Sequence, residues 1–189
     1  MSGQAIIVSA PSGAGKTSIV KHLLAELPRL AFSISACSRP KRESEVHGKD
    51  YYFLSADEFR AKIRHDDFVE WEEVYEGSYY GTLKSELERI WNEGQIPVFE
   101  VDVKGGLSLK KYFGSNALAV YIQPPSFEVL ESRLRNRGTE SEETLHRRLA
   151  RAEFELGYAG KFDLVIINDS LEKACTDAVK EIIKFLEIN

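Results

Sequence analysis

The chain predicts an α/β fold: a doubly wound parallel sheet that carries one inserted α+β piece and one inserted helical piece. Three observations lead there. Apolar strand-like runs alternate with amphipathic helical runs toward both ends, as a parallel sheet covered on both faces requires. A glycine-rich turn joins the first strand-like run to the first helical one. The alternation stops between about residues 34 and 83, and again between 126 and 158, where other patterns take over.

Taken in order, Ala5–Ser9 is a short apolar strand, and Lys16–Leu27 has the apolar spacing of a helix. Within the first insertion, Tyr51–Leu54 reads as a strand, and Ser55-Ala56-Asp57-Glu58 is a capping box that opens a short helix. Phe68–Val74 and Tyr79-Tyr80 flank Glu76-Gly77-Ser78 as the arms of a hairpin would. The alternation resumes with a strand at Ile96–Val101, a short helix near Leu107–Tyr112 and a strand at Ala117–Ile122. Ser126, after Pro124-Pro125, marks the start of a helix over Phe127–Asn136, and Gly138 closes that arginine-rich run. Helices over Glu142–Tyr158 and Leu171–Leu186 bracket a last strand, Leu164–Ile167. The expected division is therefore one domain, 1–189, with core segments 1–33, 84–125 and 159–189 and insertions 34–83 and 126–158.

Composition narrows the function. Lys plus Arg number 25 and Asp plus Glu 30, so the net charge is −5, against general nucleic-acid or anionic-membrane binding. Two cysteines, Cys37 and Cys175, make no disulfide framework, and the four histidines show no metal-ligand spacing. With no apolar run long enough to cross a bilayer and no basic-then-apolar leader before the first strand, the chain is expected in the cytoplasm.

The turn after Ser9 reads Ala10-Pro11-Ser12-Gly13-Ala14-Gly15-Lys16-Thr17-Ser18. It matches the phosphate-binding P-loop pattern Gly-x-x-x-x-Gly-Lys-[Ser/Thr] except that Ala10 stands at the first glycine. Gly-Lys-Thr alone is weak; Gly13, the strand before and the helix after make it specific. Gly13 and Gly15 lack Cβ atoms, so backbone N–H groups can curl around phosphate oxygens at the positive end of the helix. Lys16 supplies a point charge for β- and γ-phosphates, and Thr17 can offer its hydroxyl to Mg²⁺. Ala10, at the strand end, is expected to be structural. A nucleoside triphosphate is thus the expected donor, and the inserted segments must identify the acceptor.

Residues 33–42, Ser-Ile-Ser-Ala-Cys-Ser-Arg-Pro-Lys-Arg, gather hydroxyls and cations in an otherwise acidic chain, as a second anion site would. A solvated basic loop is the other reading of such a run. From here the order of motifs becomes specific. The P-loop is followed by Phe32-Ser33-Ile34-Ser35 with Arg39 and Arg42, then by Gly48-Lys49-Asp50-Tyr51, Val69-Glu70-Trp71, Tyr79-Tyr80-Gly81-Thr82 and Arg137-Gly138-Thr139-Glu140. In order and spacing, over nearly its whole length, the chain resembles the guanylate kinases.

That resemblance implies transfer of a phosphoryl group from ATP, with Mg²⁺, to GMP, with dGMP a further candidate acceptor. It makes 34–83 the GMP-binding insertion and 126–158 a helical lid. It implies that Ser35, Arg39, Arg42, Tyr51 and Tyr80 hold the GMP phosphate, and that Glu70 and Thr82 read the base. The chemistry agrees: a carboxylate accepts from guanine N1–H and its amino group, a hydroxyl can donate to O6, and adenine matches neither. Read alone, Glu70 is equally a solvent-facing strand acid and the tyrosines hairpin packing; Cys37 is expected to be a small buried thiol.

Six arginines fall within nineteen residues: Arg133, Arg135, Arg137, Arg147, Arg148 and Arg151. A solvated helix face balanced by Glu140, Glu142 and Glu143 would also produce such a run. The resemblance puts Arg133, Arg137 and Arg148 on the family's lid positions, where incoming cations stabilise the moving phosphoryl group alongside Lys16. Arg135 and Arg151 are expected at the surface. Glu100 and Asp102 end a central strand, where ligands gather in open α/β sheets, and are expected beside the GMP or the metal shell. Asn168 matches a position near the adenine, with loop capping as its other reading. Rival readings are a kinase for another nucleoside monophosphate and a non-catalytic protein-interaction module of the same fold. Monomer and homo-oligomer both stay open.

Overall fold

The computed structural model describes residues 3–136 and 142–188. Its centre is a parallel sheet of five strands: β1 (Ala5–Ser9), β2 (Leu30–Phe32), β7 (Ile96–Val101), β8 (Ala117–Gln123) and β9 (Leu164–Ile167). They lie in the order β2-β7-β1-β8-β9. Strand β1 pairs with β7 on one side, Ile6 opposite Val98, and with β8 on the other, Ile6 opposite Leu118.

The period of two along a strand explains the layers. Ile6 and Val8 of β1 join Val98, Val120 and Ile122 in a core beneath α1 (Lys16–Glu26) and α7 (Leu171–Ile188). Ala5 and Ile7 point the other way, into a second core with Leu87, Phe99, Leu109 and Tyr121 beneath α3 (Lys84–Asn92) and α4 (Val103–Phe113). Residues 5–8 are fully buried, so β1 reads as a continuous apolar run; each isoleucine contributes about 1.5–3 kcal/mol.

Four more strands form a separate sheet in the order β4-β3-β6-β5: β3 (Ala36–Cys37), β4 (Tyr52–Phe53), β5 (Phe68–Tyr75) and β6 (Ser78–Leu83). The β5–β6 pair is antiparallel and turns at Gly77, whose φ of 73° suits glycine. Helix α2 (Ala56–Arg64) begins with the expected capping box, Ser55 and Glu58 each satisfying the other's backbone. Its Phe59 stacks on Phe68 at 4.3 Å between ring centroids, giving this sheet a small core with Ala36 and Leu83. Helices α5 (Phe127–Arg135) and α6 (Glu142–Leu156) lie over the C-terminal side of the central sheet.

Differences from expectation have local causes. Strand β2 has three residues, too few for a period to show. Helix α3 starts at Leu83 with no side-chain cap and so lacks a start signal. Helix α4 begins four residues before the expected Leu107, because Asp102 caps it by accepting from Gly105 N–H at 2.9 Å. Its Gly105-Gly106 reads as loop, yet a Cβ on Gly106 would lie 2.3 Å from Ser9 Oγ, so that glycine lets the helix approach β1. Among the described residues no helix is long and apolar enough to cross a membrane.

Candidate active site

The P-loop sits where β1 gives way to α1. Gly13 and Gly15 have φ of 92° and 93°, left-handed values that favour glycine. A Cβ on Gly15 would also lie 2.3 Å from Asn168 Nδ2. Helix α1 opens on Gly15 with no side-chain cap and no acid in its first turn, so its N-terminus keeps its affinity for anions. Ala10 is buried, at the end of the strand as expected. Asn168 Nδ2 donates to the Ala14 carbonyl at 2.7 Å, tying the loop after β9 to the P-loop.

Adjacent β7 brings acids to the same edge. Thr17 Oγ1 donates to Glu100 Oε1 at 2.5 Å, and Lys16 Nζ donates to the Val101 carbonyl at 2.9 Å. Burial lowers the Lys16 pKa, opposed by the carboxylates of Glu100, Asp102 and Glu155. Of the two expected places for Glu100, beside the GMP or in the metal shell, its contact with the P-loop threonine favours the second.

The second sheet supplies another wall of the same space. One cavity of about 480 Å³ is lined by P-loop residues 10–13 and 15–18 and by Ser35, Tyr51, Glu70, Tyr80, Glu100 and Asp102. Thr82 lies behind this wall, fully buried, and donates to Glu70 Oε1 at 2.8 Å. Burial pushes Glu70 up to about 7, with the charges of Asp102 and Glu72 adding to it and the Thr82 hydrogen bond opposing it.

Arg39 lies beside the tyrosines rather than on the cavity wall. Its Nε donates to Tyr80 Oη at 3.1 Å, and its guanidinium carbon lies 5.0 Å from the centre of the Tyr51 ring. Its two terminal nitrogens grip Glu45 at 2.7 and 2.6 Å, and these bonds pull the Glu45 carboxyl down to about 2. Arg42 is exposed, and its backbone N–H donates to the same carboxylate at 2.8 Å. Cys37 is fully buried, which raises its thiol pKa and removes it as a reactive group.

The arginines separate. Arg148 lines the cavity. Arg133 does not; it donates to the Asn168 carbonyl at 3.0 Å. Arg137 lies outside the described residues. Arg135 pairs with Glu131 at the surface, as expected. The Arg151 side chain is 40% exposed, as a surface residue's is, and also lines the cavity and bonds Asp102 Oδ2 at 2.7 Å and Glu155 Oε1 at 2.8 Å. Glu155 is a further cavity residue that the sequence reading did not name; its place four residues after Arg151 was the available signal. Glu86 also escaped notice. It is buried, accepts from Ile34 N–H at 2.9 Å and from Tyr52 Oη at 2.8 Å, and pairs with Arg89, so it ties α3 to the second sheet.

A family model described as guanylate kinase matches residues 2–185. A guanylate kinase of Bacteroides fragilis is 53% identical over 184 residues, 97% of this chain and 90% of that protein. A guanylate kinase of Porphyromonas gingivalis is 52% identical, covering 96% of this chain and 97% of the other. A crystal structure of guanylate kinase from Anaplasma phagocytophilum superposes with a TM-score of 0.76 at 27% identity, over 99% of this chain and 87% of that one.

Proposed function

The chain belongs to the guanylate kinase family, and on that premise we propose that its cavity seats ATP on the P-loop side and GMP against the second sheet. The enzyme transfers the γ-phosphoryl group of ATP to GMP, giving ADP and GDP. The observation that carries the assignment of sides is that Lys16, at the end of the P-loop, and Glu70, on β5 of the second sheet, line the same cavity.

On the acceptor side, ionised Glu70 accepts from N1–H and the amino group of guanine, while Thr82 behind it holds the carboxylate in place. Ser35, Tyr51 and Tyr80 face the GMP phosphate, and Arg39 and Arg42 complete its anion site. Glu45 now occupies the Arg39 fork, so an arriving phosphate exchanges one anion for another. On the donor side, the P-loop N–H groups cradle the phosphates and Lys16 neutralises the charge that moves. Arg148 reaches the same space from α6, and Arg137 is assigned to the lid with it. Arg133 steadies the loop at Asn168 from outside the cavity, and Asn168 in turn holds the P-loop near the adenine. A GMP phosphate oxygen attacks in line, so no protein nucleophile is required.

Thr17 and Glu100 offer an oxygen-only donor set at the end of the P-loop, suited to Mg²⁺, which takes few protein ligands and the rest from water and phosphate. Held there, the ion would supply positive charge to offset that of the donor phosphates. We assign Glu100 to this donor side. The domain is divided as 1–33, 84–125 and 159–189 for the core, 34–83 for GMP binding and 126–158 for the lid. A second sheet with its own small core supports the middle boundary. Two buried free thiols suit a reducing cytoplasm.

Initial rates with ATP and Mg²⁺, with GMP, AMP, CMP and UMP offered in parallel, test the assignment. Turnover should be confined to GMP and its deoxy form. Equal use of AMP or UMP would overturn the roles of Glu70 and Thr82, and no turnover with any acceptor would favour a binding module.

A further inference from the structure

Helix α6 carries two arginines one turn apart, Arg148 and Arg151, and both line the cavity. They are placed differently. Arg151 spreads its guanidinium between two carboxylates that belong to different parts of the molecule: Nη2 to Asp102 Oδ2 at 2.7 Å and Nε to Glu155 Oε1 at 2.8 Å.

Both partners are fixed. Asp102 Oδ1 caps α4 through Gly105 N–H, and the Asp102 carbonyl accepts from Ser9 Oγ at 3.1 Å. Glu155 is buried, and its carbonyl accepts from Tyr121 Oη at 2.9 Å in the middle of the sheet. A planar fork bonded to two anchored carboxylates has little freedom left. Arg151 therefore pins α6 to the end of β7. The helix rises about 5.4 Å per turn, so that pin also decides where Arg148 stands over the cavity.

Electrostatics points the same way. Glu70, Glu100, Asp102 and Glu155 all line a cavity that must admit phosphates. The Arg151 charge offsets two of these carboxylates, Asp102 and Glu155, in a cavity that Lys16 and Arg148 also line.

We propose that Arg151 is a positioning residue for phosphoryl transfer: by bridging Asp102 and Glu155 it fixes helix α6 so that Arg148 meets the moving phosphoryl group. This rests on the placing of Arg148 in the catalytic set.

The test is a cycle of Arg151→Ala, Arg148→Ala and the double variant, with kcat and both KM values measured for each. Arg151→Ala should lower kcat about tenfold while KM for ATP and for GMP moves less than about threefold, because an interaction realised in the transition state is lost. In the Arg148→Ala background the same change should cost less than about twofold, since coupled residues are not additive. Additive losses, or an unchanged kcat for Arg151→Ala, would overturn the positioning role while leaving Arg148 in place. An unchanged kcat for Arg148→Ala would overturn both the placing of Arg148 and the proposal built on it. Should Arg151→Ala melt early, Arg151→Lys keeps a cation that cannot span both carboxylates. It should show the same selective loss of kcat at smaller size, and wild-type kcat in that variant would count against the bridge.

Discussion

At the scale of single residues, the site works by taking charge out of water and then giving it a partner. Glu70 shows the consequence. Its carboxyl is pushed up to about 7 by burial, so near neutrality it is half protonated in the free enzyme. Only the ionised form accepts two hydrogen bonds from guanine. GMP use should therefore rise as pH climbs through about 7 and be lost as pH falls; kcat/KM for GMP should drop about tenfold from pH 8 to pH 6. Glu70→Gln should lower that value throughout and flatten the dependence, leaving the titration of the GMP phosphate itself. A wild-type profile in the variant would remove Glu70 from base reading. The sign reverses for stability. A carboxyl whose folded pKa is raised stabilises the ligand-free fold at low pH, and that contribution is lost as pH rises through about 7. Lys16 belongs to the other wall. Lys16→Met should abolish transfer and leave GMP affinity by calorimetry within about twofold, since a charge placed for the transition state contributes little to binding the acceptor. Equal loss of both would argue against separate subsites.

At the scale of elements, the second sheet is tied to the core through α3 and α4. Glu86 on α3 is a buried tie, receiving Ile34 N–H from the chain leading into β3, Tyr52 Oη from β4 and the guanidinium of Arg89. Glu86→Ala removes the acceptor of four hydrogen bonds from three residues and should cost about 3 kcal/mol in urea denaturation. A change below about 1 kcal/mol would mean that water replaces the carboxylate. The elements also show which signals a sequence carries. Ser55 to Glu58 announced α2 because a capping box is local chemistry. Helix α3 lacked such a mark, and α4 was foreshortened because Gly105 and Gly106 serve packing against Glu70, Asp102 and Ser9, which no window along the chain contains.

For the whole molecule, the arrangement joins two walls from distant parts of the chain around one cavity, and ligand binding should be felt globally. Saturation with GMP at about 100 times its Kd should add about 2.7 kcal/mol, a rise in Tm of about 5–10 °C for a chain of this size. Glu70→Gln at the same GMP concentration should show a smaller rise, and an equal rise would place GMP elsewhere. The sequence by itself determined the P-loop turn and the order of the motifs that follow it. Gly13, Gly15, Lys16 and Thr17 lie within five residues, and backbone conformation and charge over so short a span are dictated locally. Tertiary structure alone decided the long-range pairings at the cavity: Thr17 with Glu100 and Arg151 with Asp102, spanning 83 and 49 residues. A side chain's partner at that separation depends on which strands lie side by side and how a helix crosses their ends. Arg151 reads as a surface residue along the chain and becomes a bridge only once α6 is brought to Asp102, just past the end of β7.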